Sequence, residues 1–560
     1  MRGSVLALLL AAAGPLLAQQ PPTGSWEEEQ KRYEQSRSYK ALYLRAVLAE
    51  RFALTKDARA LKLLLRRWAD PDEPADQVRY LIAGILGEVY QRPEDLEALL
   101  GATARLDKPP DCWLAFQADR LQAKFGKAEA LLESIADPKR DAFLRATALE
   151  ALAGARQPAS VLAAIERVLA PAAQKKLKPL ERAVLLETCA AALGAAKDQA
   201  ATDAFAAAVE LVIAGLEEKK LEQRTRLVVA RGLGRALDAP ALWLEADPWR
   251  KFFAGRAAEA RAKAEGSGGG TRPRLQAGGG ITTPRFFGIE GSGLRVAFVV
   301  DLSDSMMIPL KPAEVEELKR PRTGEPTPAP DQPKAPDQDL KDLPWDRIKN
   351  RFEAAREALK LSLRSLGPEM SFAVVVFGTK AETLTGPSLI KATPKNVQRA
   401  IDALDAIRPG RAEANREHGT LKGHTNLHGG LRLAFRLVEG PQIGAHEHVA
   451  APGFQSGCDT VFLLSDGDPS WDDFDQEDVR IEGMNAGDPE DRSKKGPDVP
   501  RLHYYGPYAA GRFLVRDLLR MNLLRRVEVH CVGIGEANKR LLEQIVEIGG
   551  GELRTIAGGK

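Results

Sequence analysis

Asp301, Ser303 and Ser305 occupy alternate positions of the run Asp301-Leu302-Ser303-Asp304-Ser305-Met306. At the end of a strand, one carboxylate and two hydroxyls spaced in this way can converge on a single point. Their oxygens are hard donors suited to magnesium, with calcium or manganese as alternatives, and ill suited to zinc. Two further oxygen-rich turns occur, Gly423-His424-Thr425-Asn426-Leu427 before a helical pattern and Ser465-Asp466-Gly467 after an apolar run. Capping is the competing explanation, with Ser303 and Ser305 at a helix start and Asp466 in a turn. All seven histidines lie in the C-terminal half, among them His418, His424, His428, His446 and His448. His446-Glu447-His448 has neither HExxH spacing nor the cysteine partners of a zinc site. Gly467–Pro500 carries eleven acidic residues against four basic ones. Without EF-hand spacing it reads as a solvated loop, an additional calcium site being the alternative.

These residues need elements to position them. Leu294–Val300 is a short apolar, β-branched run, as expected of a strand buried on both faces of a parallel sheet. Ser371–Phe377, Thr460–Leu464 and Val527–Val532 read likewise. Helical patterns cover Trp345–Leu366, Pro394–Leu404, Leu427–Val438, Ala509–Met521 and Lys539–Ile548. Such alternation predicts a doubly wound, mostly parallel α/β sheet, whose ligands sit beyond the carboxyl ends of the strands.

The ordered series RVAFVVDLSDSM, GHTNLHGGLRLAF, TVFLLSDGD and VEVHCVGIG resembles the von Willebrand factor A-type domain over about Phe286 to Ile556. The resemblance implies a metal ion-dependent adhesion site, with Ser303 and Ser305 as direct ligands and Asp301 acting mainly through water. It further implies Thr425 and Asp466 as the remaining contacts, one direct and one through water. Two features depart from the family: Asp304 stands where glycine is usual, and insertions follow Ser305-Met306 and Asp466. We take these insertions as 309–344, a tract with nine prolines read as a solvated loop, and 467–508.

The N-terminal half is chemically quiet. Over 24–265 apolar residues recur at spacings of three and four, and similar segments start at Leu42, Val78, Trp113, Phe143, Arg182 and Arg224. Such pairs of helices bury their apolar faces only against neighbours, which predicts an α-solenoid resembling HEAT or tetratricopeptide arrays. Residues 266–283 are rich in glycine and read as a linker to a C-terminal domain at 284–560. Residues 1–18, with Arg2, an apolar run and Ala18 before a polar tract, have the layout of a signal peptide. The expected location is therefore periplasmic or extracellular.

The chain has 560 residues, enough for several domains. Its 80 Lys+Arg against 77 Asp+Glu leave no basic footprint for nucleic acid. Cys112, Cys189, Cys458 and Cys531 are too dispersed for a CxxC site. No GxxxxGK[ST] loop, nucleophile elbow or HExxH motif occurs, and Gly533-Ile534-Gly535 lacks the third glycine of a dinucleotide fingerprint. The leading expectation is a non-enzymatic, metal-dependent adhesion module for a protein ligand presenting Asp or Glu. A scaffold whose metal only pins loops, or a metal-dependent hydrolase with Asp304 or the acidic insertion as base, are the alternatives. The oligomeric state is not legible.

Overall fold

Val296, Phe298 and Val300 point into one apolar layer and Ala297 and Val299 into another, so the strand β3 (Arg295–Asp301) is buried on both faces. In the computed structural model β3 is central to a sheet of β4 (Ser371–Phe377), β5 (Ala381–Thr383), β6 (Ile390–Lys391), β7 (Thr460–Ser465), β8 (Glu528–Ile534) and β9 (Leu553–Ile556). A hairpin, β1 (Arg285–Phe286) and β2 (Ile289–Glu290), precedes it. The sheet order is β5-β4-β3-β7-β8-β9, with β6 also on β4. Strands β4, β3, β7, β8 and β9 run parallel, whereas β5 and β6 are antiparallel to β4.

The structure describes residues 24–38, 42–70, 76–175, 177–239, 243–264, 284–320, 340–407, 423–440, 447–474 and 506–556. The expected signal peptide and linker, residues 321–339 and 475–505 of the two insertions, His418 and His446 lie outside them.

Helices Arg351–Arg364 and Pro394–Ala406 pack on one face of the sheet. Leu427–Arg436, Gly511–Asn522 and Lys539–Gly549 pack on the other. The four strands and five helices expected from sequence are thus present, with ends within two residues except that the first helix begins at Arg351 and not at Trp345. The short strands β5, β6 and β9 were not legible as apolar runs. Part of the proline tract is also ordered: Pro312–Lys319 is a helix with Glu314 and Leu318 fully buried. Proline is tolerated at the first helical position, where its missing N–H has no intrahelical partner.

By contact the chain divides into two units, one containing Tyr90–Ile281 and the other Leu17–Val89 with Thr282–Lys560. In the first, helices Cys112–Lys124, Ala142–Gly154, Pro179–Ala192 and Gln223–Leu237 stack in a row. Ala128–Ala136, Pro158–Leu169 and Asp203–Gly215 form a second row against it. This is a helical array of the solenoid kind. Between its helices the buried Glu187 accepts from Arg224 at 2.9 Å and from Thr225 at 2.8 Å.

The second unit groups helices Trp26–Gln35, Leu42–Ala53, Ala58–Trp68 and Asp76–Val89 with the α/β domain, so the division falls after Val89 and inside the span read from sequence as a single helical domain. The reason lies on one face of helix Gly511–Asn522. There Arg512 donates to Glu50 at 3.0 Å, Arg516 to Glu88 at 2.8 Å, and Arg520 lies 3.9 Å from the Tyr80 ring centre. Gly84 allows the approach, because a side chain there would occupy the space of Arg516. Arg520 also donates to Asp517 at 2.7 Å and Glu447 at 2.9 Å, all three groups being buried. Burial opposes ionisation of Glu447, but Arg520 and then Arg432 outweigh it and hold the carboxyl down at about 2. Arg520→Met should therefore leave Glu447 with Arg432 alone and Asp517 with only His428, and cost about 3 kcal/mol or more. Urea denaturation of the full chain measures this, with a neutral result counting against the pairing.

Candidate metal centre

Strands β3 and β7 are neighbours, yet the chain leaves β3 toward β4 on the opposite side. The crevice beyond their carboxyl ends is the topological switch point, the place where open α/β sheets take ligands. It brings Asp301 against Ser465 and Asp466. Asp301 is fully buried; its Oδ1 accepts from the Ser303 amide at 2.8 Å and its Oδ2 from the Ser465 hydroxyl at 2.7 Å. The Ser303 and Ser305 hydroxyls lie 3.0 Å apart, and the latter donates to Asp466 Oδ1 at 2.6 Å. Four of the five residues named from sequence, Asp301, Ser303, Ser305 and Asp466, thus form one cluster.

Thr425, the fifth, borders the same gap. Its hydroxyl and that of Ser305 lie 4.0 and 3.8 Å from the place a Gly467 side chain would begin. The turn carrying it is held by Asp304, whose carboxylate accepts from the Gly423 amide at 2.9 Å and whose own amide donates to Gly423 O at 3.3 Å. Gly423 has φ +63°, a conformation that favours glycine. Asp304 therefore joins two of the three turns. On the far side, Asn426 caps helix Leu427–Arg436 by accepting from the Gly429 amide at 2.7 Å, and it donates to Asp473 at 2.8 Å. His424 stacks on Trp471 with ring centres 4.3 Å apart at the rim.

Three residues that sequence reasoning passed over complete the centre. Ser465 could have been taken from its place in the Ser465-Asp466-Gly467 turn. Arg351, which donates to Asp466 Oδ2 at 2.9 Å, and Glu314, 3.7 Å from Arg351, had no local signature. Among the described histidines, His428 pairs with Asp517 at 2.8 Å, and burial holds His448 down to about 3. In the acidic insertion, Asp472 is buried and accepts from the amides of Phe474 at 2.7 Å and Tyr508 at 2.9 Å, tying its two ends together. Among the described residues no three His, Cys, Asp or Glu side chains gather where they could hold a metal.

The Asp301 centre is different in kind, because its donors are mostly hydroxyls. Adjacent ligands of an octahedral magnesium, each about 2.1 Å from the ion, are about 3 Å apart. The Ser303–Ser305 separation of 3.0 Å fits such an edge. Two neighbouring buried carboxylates would supply the countercharge to such an ion.

Residues 342–468 and 514–555 each match a family model described as von Willebrand factor type A domain. The C-terminal half thus carries a domain of this type, a module of protein–protein interaction. The first match includes Thr425 and Asp466 and begins after Asp301–Ser305. The pairing of β3 with β7 is what places that turn in the same site. No curated protein matches the chain.

Burial first, and the Asp466 carboxylate second, push Asp301 up to about 7. Between the unfolded value of about 4 and that value the folded chain holds a proton that the unfolded chain has lost. Without divalent ions the protein should lose stability as pH rises from about 4 to 7. Asp301→Asn should flatten the slope, which melting temperatures in EDTA across this range would measure.

Proposed function

We propose that the C-terminal domain captures a protein ligand by an exposed Asp or Glu, through a divalent cation held at the Asp301 centre. The supporting observation is the meeting of Ser303, Ser305 and Asp466 over buried Asp301 at the switch point. Ser303, Ser305 and Thr425 would hold the ion by neutral oxygens, with Asp301 and Asp466 close behind. Magnesium suits this set best, with calcium or manganese as alternatives. When bound, the ion supplies a positive centre that its hydroxyl ligands leave largely unneutralised and that a carboxylate can approach. Asp304, one possible base for hydrolytic chemistry, is committed to the Gly423 amide, which favours binding over catalysis.

Calorimetry with magnesium should show binding to the full chain, weakened at least about tenfold by Asp301→Ala. Thr425→Ala should retain magnesium but impair capture of peptides displaying Asp or Glu. Such capture should be lost in EDTA and when the peptide carboxylate is amidated. Magnesium binding without any effect of EDTA on peptide capture would leave the ion the role of pinning three turns.

We also propose export, on the layout of residues 1–18. Among the described residues no helix is long and apolar enough to cross a membrane. N-terminal sequencing of protein recovered outside the cytoplasm should begin at or near Gln19, whereas recovery of intact Met1 from the cytoplasm would refute it.

A further inference from the structure

The helix that follows the first insertion brings a cation to the site. Arg351, at the start of helix Arg351–Arg364, is 2% exposed, and its Nη1 donates to Asp466 Oδ2 at 2.9 Å. Its Nη2 lies 3.7 Å from Oε1 of Glu314, itself fully buried. Glu314 is fixed in turn by accepting from the Lys311 amide at 2.7 Å. The Arg351 amide donates to Ile308 O at 3.2 Å, and Asn350 caps the helix by accepting from the Glu353 amide at 2.9 Å. Gly535, at φ +69°, gives the guanidinium its room: a side chain there would overlap it. Arg351, the first residue of the helix after the insertion, is thus held between the inserted Glu314 and Asp466, the candidate ligand that follows β7.

We propose that Arg351, backed by Glu314, is a built-in countercharge that sets the divalent-ion affinity of this centre. The inference rests on the metal-binding reading above. Asp466 and Glu314 face one guanidinium and Asp301 lies beside Asp466, so a divalent ion would bring these three carboxylates and one cation to neutrality. The guanidinium occupies Asp466 Oδ2 and turns Oδ1 toward Ser305, which keeps Asp466 oriented before an ion arrives. Its positive charge also opposes the incoming ion in a buried setting, where Coulomb interactions are weakly screened. The ion is consequently held less tightly than the two aspartates alone would hold it. Arg351 is a positioning residue that acts through Asp466.

Magnesium calorimetry on the full chain tests this, with folding followed by circular dichroism. Arg351→Met removes the charge while keeping an unbranched chain, and should tighten magnesium binding at least about tenfold. Arg351→Lys keeps the charge and should stay within about threefold of the parent. Glu314→Gln leaves the guanidinium less neutralised and should weaken binding about threefold or more. Loss of packing alone would weaken every variant, so opposite signs for Arg351→Met and Glu314→Gln distinguish electrostatics from damage. Unchanged or weaker binding by a folded Arg351→Met overturns the proposal. Should that variant not fold, Arg351→Gln takes its place: tighter binding supports the countercharge role, and equal or weaker binding overturns it. If the parent chain takes up neither magnesium nor manganese, the metal reading itself falls and this inference falls with it.

Discussion

Asp301 and Asp466 are carboxylates buried on adjacent strand ends, and most of what surrounds them offsets the cost of that arrangement. Like charges in a weakly screened interior disfavour each other's ionisation, and burial disfavours both. The chain responds with donors: the Ser303 amide and Ser465 hydroxyl to Asp301, and the Ser305 hydroxyl and Arg351 guanidinium to Asp466. Only one of these four carries a full positive charge. The remaining deficit is met by a proton on Asp301, whose place a cation among the hydroxyls would take in the function proposed above.

The sheet makes this juxtaposition unavoidable. A parallel order in which β3 lies between β4 and β7 places two strand ends at the switch point, and each ends in an acidic residue or meets one immediately after it. The third turn is brought in by polar links. Asp304 grips Gly423 by both its carboxylate and its amide, while Asn426 fastens the start of the next helix. Thr425 sits between those anchors, so its hydroxyl has little freedom.

Strands buried on both faces were legible because each reads as a continuous apolar run of the right length. The Asp301, Ser303, Ser305, Thr425 and Asp466 constellation was legible because three oxygen-rich turns occur beside those runs. Arg351 and Glu314 were not, since their partnership is formed across distant sequence and neither sits in a motif. Asp304 could not be interpreted for a related reason: its partner is a backbone amide, which every residue type carries. The grouping of residues 42–89 with the α/β domain was hidden similarly. Arg512, Arg516 and Arg520 recur every four residues on a helix, but only the folded chain shows that Glu50, Glu88 and Tyr80 meet them. The proline tract misled by composition, because Pro312 starts a helix that buries Leu318 in the core.

Both insertions leave the sheet at the carboxyl end of a strand, where an added segment disturbs no ladder hydrogen bond. Each nevertheless sends a buried polar residue back. The first places Glu314 beside Arg351, which reaches Asp466; the second carries Asp472, which binds the amides of Phe474 and Tyr508 and so closes the loop at its base. Burying an ionisable group is costly unless it is paired, so these residues tie the inserted segments to specific positions beside the crevice. The same sheet can therefore carry a site whose electrostatics are set by residues outside it. In this chain the three oxygen-rich turns provide the oxygen donors, and Arg351, with the inserted Glu314 at its back, offsets part of their negative charge at Asp466.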